Sequence, residues 1–68
     1  MGETFIPRST NIAEVVYDAG TLTVTFKDGG QWSYSGVPQE VYAAFQRAPS
    51  AGSYFYRHIR GRFPEQQV

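Results

Sequence analysis

The sequence predicts an α+β domain: a three-stranded antiparallel β-meander followed by two α-helices packed on one sheet face, βββαα in order. Three observations predict it. Residues 21–27 alternate strictly, with Leu22, Val24 and Phe26 between Thr21, Thr23, Thr25 and Lys27, which is the period of a half-buried strand. Asp18-Ala19-Gly20 and Asp28-Gly29-Gly30 flank that run as turn signals. After Pro38 the apolar spacing changes to three and four, the helical period.

The elements follow in order. Residues 1–7 read as an extended arm, because Pro7 disfavours helix at Ile6. Residues 11–17 form the first strand, with Ala13, Val15 and Tyr17 facing the core and Ile12 and Val16 outside. Residues 31–35 form the third strand. A three-residue loop at 28–30, with Gly30 left-handed, pairs Phe26 with Trp32 and Val24 with Tyr34. That register gathers Leu22, Val24, Phe26, Trp32 and Tyr34 on one face and leaves Thr21, Thr23, Thr25, Gln31, Ser33 and Ser35 on the other. A two-residue turn would flip every side chain of the third strand, and the clean separation argues against it.

Pro38 suits the first helical position, and Val41, Ala44, Phe45 and Ala48 supply an apolar stripe up to Pro49. Ser50 then caps a second helix over residues 51–60, with Gly61 as its stop. Tyr54, Phe55, His58 and Ile59 lie on its adjacent faces. Phe63 folds back onto the core, and residues 65–68 form a loose tail.

Composition bounds the rest. A chain of 68 residues holds one domain and buries only ~60% of the surface its unfolded form exposes. With no cysteine to staple it, aromatic packing by five Tyr, five Phe and one Trp is the available support. No apolar run is long enough to span a bilayer. No basic and apolar leader opens the chain, so no signal peptide is expected, and the absence of cysteine fits a cytoplasmic protein. The net charge of zero is uneven. Residues 1–40 carry two cations against five carboxylates, net −3, while residues 41–68 carry four arginines against Glu65, net +3.

These residues, in this order, resemble the KTSC domain family over residues 8–64. The resemblance rests on Ser9-x-Asn11-Ile12, Tyr17, Leu22-x-Val24-x-Phe26-x-Asp28-Gly29, Trp32-x-Tyr34, Gly36-Val37-Pro38 and Ala48-Pro49-Ser50-x-Gly52-x-Tyr54-Phe55-x-x-x-Ile59-Arg60. The family takes its name from a domain at the C-terminus of some lysyl-tRNA synthetases, and it also occurs as small stand-alone bacterial and phage proteins. The resemblance implies a stand-alone member and a role in RNA binding. Where the family has Tyr-x-Tyr, this chain has Trp32-x-Tyr34: the flat ring is kept and a phenolic hydroxyl is lost.

Two groups of residues can bind a ligand. Ser50, Gly52 and Ser53 open the second helix, where free N–H groups and hydroxyls suit a phosphate or carboxylate. The same residues also serve as a plain cap. Tyr54, Tyr56, Arg57, Arg60 and Arg62 interleave cations with rings, a pattern for phosphate contact and base stacking, and Arg57 and Arg60 share a helix face. Cations at a helix C-terminus are also stabilised by its dipole without any ligand. Trp32 and Tyr34 can form an aromatic platform on the sheet or pack in the core. In the core the tyrosine hydroxyls need partners, one of which is expected from Asn11 or Ser9. A lone His58, without cysteine or a paired carboxylate, makes neither a metal site nor a triad. The glycines match no phosphate-loop or dinucleotide spacing.

The expected function is therefore a small non-catalytic module binding RNA or a nucleotide-type anion through the second helix, without cofactor or metal. The alternatives are a protein–protein or homo-oligomerising module, and a phage-type protein that sequesters a nucleotide signal between subunits.

Overall fold

The computed structural model describes residues 2–68. Five strands form one antiparallel sheet in the order β1 (Glu3–Phe5), β2 (Ile12–Asp18), β3 (Thr21–Phe26), β4 (Gln31–Tyr34) and β5 (Glu65–Gln67). Between β4 and β5 come α1 (Gln39–Arg47) and α2 (Ala51–Tyr54), the latter continuing as one π turn over Phe55–Ile59. No helix among the described residues is long and apolar enough to cross a membrane.

The α+β class and the two helices agree with the sequence reading, whereas the three-stranded count is corrected to five. The added strands come from the expected arm and tail. Glu3–Phe5 pairs with β2, Phe5 opposite Val15, and Glu65–Gln67 pairs with β4, Glu65 opposite Tyr34. Three-residue, largely exposed strands show no alternation, so periodicity cannot announce them. They form because the outer strands of a meander leave main-chain groups open to pairing. Phe63 packs against the core, and the Pro64 carbonyl accepts from Ser35 N at 3.0 Å, which brings the C-terminus to that edge.

The β2–β3 turn is a two-residue loop at Ala19-Gly20, both with positive φ (51° and 83°), the geometry that matches strand twist. The β3–β4 register differs from expectation by two residues: Val24 faces Trp32 and Leu22 faces Tyr34. Gly29, not Gly30, is left-handed (φ 99°), because Asp28 Oδ1 accepts from Gly30 N at 3.0 Å and draws the turn in. A two-residue shift preserves the parity, so the expected division into faces survives.

Ile12 is a second correction. A β-bulge between Ile12 and Glu14 breaks the parity of β2, so Ile12 and Val15 both reach the core, at 1% and 0% exposed. On α1, Pro38 is the extended cap residue rather than the first helical one, and Tyr42 joins Phe45 as the buried pair. The buried face is turned relative to the expected stripe because Tyr17 stacks on Tyr42, ring centroids 4.6 Å apart. The Tyr17 hydroxyl donates to the Val37 carbonyl at 2.6 Å and that of Tyr54 to the Val41 carbonyl at 3.5 Å, so the expected tyrosine partners Ser9 and Asn11 give way to main-chain carbonyls at these two rings. Ser9 Oγ instead accepts from the backbone N–H groups of Asn11 and Ile12, both at 3.1 Å. Phe45 stacks on Tyr54 (5.7 Å), and the Phe55 ring meets Phe26 and Tyr34 edge-on at 5.5 Å each.

Candidate functional site

The second helix begins as the sequence predicts: Ser50 Oγ accepts from Ser53 N at 3.3 Å. It then widens. Arg60 N donates to the Phe55 carbonyl at 2.9 Å, an i→i+5 bond. Single π turns are rare and concentrate at functional sites. This one buries Phe55 and Ile59 and leaves Tyr56, Arg57, His58 and Arg60 exposed. The Arg60 guanidinium lies over the Tyr56 ring, 5.4 Å from its centroid, an exposed cation–π contact worth about 0.5–1 kcal/mol.

Two grooves meet along this turn. The first, about 710 Å³, has the rings of Phe26, Trp32, Tyr34, Phe55 and Tyr56 in its wall, with Lys27, Asp28, Arg60 and Glu65 as its charged groups. The second, about 460 Å³, is lined by Arg8, Ser9, Ser50, Gly52, Ser53 and Arg57, with no carboxylate. Thr10, Asn11 and Tyr56 belong to both. A balanced aromatic groove therefore adjoins a purely cationic, hydroxyl-rich one.

The expected site residues fall out as follows. Ser50, Gly52, Ser53, Tyr56 and Arg57 share the second groove; Trp32, Tyr34, Tyr56 and Arg60 share the first. Trp32 and Tyr34 pack with the core and also present surface to the groove, with Tyr34 only 2% exposed. Tyr54 lies between Phe45 and His58 and lines neither groove, nor does Arg62. Arg8, Thr10, Asn11, Lys27 and Glu65 escaped sequence reasoning. They come from distant segments, and only folding brings them beside the second helix.

The groove's one strongly shifted group is Tyr34. Burial pushes its hydroxyl up to about 12, and the nearby negative charge of Glu65 adds to this. The phenol therefore stays protonated at neutral pH. Among the described residues no group of three or more His, Cys, Asp or Glu is placed to hold a metal ion.

A family model described as the KTSC domain matches residues 8–63. The chain belongs to the KTSC domain family. A KTSC domain protein from Yersinia pestis, known from its crystal structure, superposes with a TM-score of 0.90 at 27% identity, covering 100% of this chain and 99% of that one. A lysine–tRNA ligase from Trichormus variabilis is 36% identical over 64 residues, which is 91% of this chain and 11% of the ligase. One from Nostoc punctiforme is 33% identical over the same shares. The KTSC domain thus spans about a tenth of the length of the curated relatives it matches. It is a small domain found in some lysyl-tRNA synthetases.

Proposed function

We propose that this KTSC domain is a binding module for a nucleotide unit, in RNA or free, which it holds without turnover. One observation carries the reading: a carboxylate-free groove with Arg8 and Arg57 adjoins an aromatic groove along the Tyr56 ring. A nucleotide has the matching two parts, an anionic phosphate and a flat base. Arginine suits the phosphate as a planar, permanently charged donor. Tyr56, 48% exposed, and Trp32 offer faces on which any base can stack. Gly52 lines the second groove, and an added Cβ there would meet Ser9 Oγ at an ordinary contact distance of 3.6 Å. The lysine–tRNA ligase relatives, whose name specifies an RNA substrate, agree with the RNA form of the reading.

Fluorescence anisotropy with a labelled single-stranded oligoribonucleotide tests it. Affinity is expected to be modest and to fall with salt, the logarithmic slope losing about 0.7 for each phosphate contact removed. The Arg8→Ala/Arg57→Ala pair should flatten the slope. Salt-independent binding, or an unchanged slope in the double variant, overturns the reading. Native mass spectrometry of protein purified from cells separates RNA from a free nucleotide as the retained species.

A second reading rests on the sheet face opposite the helices. Thr4, Val16, Thr23, Ser33 and Gln66 form one cross-strand row there. An uncharged, flat row of this kind suits self-association, and the same mass spectra report it.

A further inference from the structure

The aromatic groove carries more chemistry than stacking requires. Its lining carries both signs of charge: Lys27 and Arg60 as cations, Asp28 and Glu65 as carboxylates. The two carboxylates are not equivalent. Asp28 Oδ1 is occupied by Gly30 N inside the turn. Glu65 lies on the exposed edge strand opposite Tyr34 and is not tied into a turn in this way. A carboxylate has about four acceptor positions, so Glu65 retains acceptors that can face the groove. Neither Lys27 nor Arg60 carries any acceptor; both are donors only.

The groove wall is therefore an acceptor at Glu65 and a donor at Lys27 and Arg60. A stacked base that satisfies both must present adjacent N–H donors on one edge and acceptors on another. Guanine does so, with N1–H and N2–H₂ side by side and O6 and N7 as acceptors that Arg or Lys reads. Adenine sets an acceptor, N1, beside its single amino donor, and a carboxylate oxygen repels that acceptor. Uracil has one N–H between two carbonyls, and cytosine has one amino group beside an acceptor. We propose that the Glu65 carboxylate, with Arg60 and Lys27 in the same groove, makes the aromatic groove selective for guanine. The proposal rests on the nucleotide-binding reading above and adds base identity to it. The same carboxylate disfavours phosphate in the aromatic groove, which directs the anionic end to Arg8 and Arg57.

Equilibrium titration of the intact protein with GMP, IMP and AMP tests the proposal. GMP is expected to bind on the order of tenfold more tightly than AMP, the discrimination of one bidentate base contact. IMP, which lacks the N2 amino group, should fall between them. In Glu65→Gln, whose amide pairs well with adenine, the GMP preference should vanish or reverse. Glu65 is exposed, so this isosteric change spares the core. The inosine comparison needs no variant and stands independently of that fold. Equal affinities for GMP and AMP, or a preference that survives Glu65→Gln, overturn guanine selectivity while leaving the nucleotide site standing. No saturable binding of any of the three overturns both.

Discussion

Phe55 and Tyr56 are neighbours on one turn, and they do opposite things. Phe55 is 1% exposed and meets the rings of Phe26, Tyr34 and Phe45, the structural centre of the molecule. Tyr56 is 48% exposed and carries Arg60 on its face between two grooves. Side-chain class does not separate them. One residue of helical advance, about 100°, turns one ring inward and the next outward. In a chain with a thin core the two roles are coupled, since the turn that anchors the sheet through Phe55 also holds the ligand-facing ring in place.

The comparison can be broken from either side. Phe55→Ala should lower stability by about 3–5 kcal/mol, read as a shift in the denaturation midpoint, because it empties the point where three rings converge. Tyr56→Ala should cost only about 1 kcal/mol of stability, from its contacts with Arg60 and Phe55, and instead weaken oligoribonucleotide binding by about 1–3 kcal/mol. If Tyr56→Ala unfolded the domain, or left binding intact, the division between an anchoring ring and an offering ring would fail.

An alkaline titration is expected to show a smaller loss of stability. Tyr34 is raised from about 10 to about 12 by burial and by Glu65. The folded state holds this proton more tightly than the unfolded chain does. Its stabilisation is complete below pH 10 and is lost as the pH rises toward 12. Tyr34→Phe should flatten that fall, and a fall of unchanged size would assign it to other groups. Tyr42, also raised by burial, contributes in the same direction.

The smallest effect separates two phenols that stack on each other, half-buried Tyr17 and buried Tyr42. The Tyr17 hydroxyl is bonded to the Val37 carbonyl, whereas the Tyr42 hydroxyl is buried with no partner among the described residues. Tyr17→Phe should cost about 1 kcal/mol, and Tyr42→Phe should be neutral or stabilising by a similar amount. Thermal unfolding of the two variants compares them directly, and equal losses would mean that both hydroxyls are satisfied.

Much of this architecture is legible locally. The alternation at residues 21–27, the turn at Ala19-Gly20 and the Ser50 cap each reflect chemistry within a few residues, and each stands where the sequence places it. The π turn shows how local reading can succeed on extent and miss detail. Residues 51–60 read as a helix, but the i→i+5 bond between Phe55 and Arg60 has no sequence signature here.

What the sequence by itself determined is the partition of side chains within each element: which strand face is apolar, where helices start, and which residues are rings or cations. The tertiary structure alone decided the rest. It recruited Glu3–Phe5 and Glu65–Gln67 as edge strands, inserted the bulge that buries Ile12, and set Arg8 beside Arg57 and Glu65 beside Tyr34. Periodicity reports only neighbours along the chain. Edge pairing and groove composition depend on main-chain groups and charges far apart in sequence, which meet only when the sheet closes over its rings.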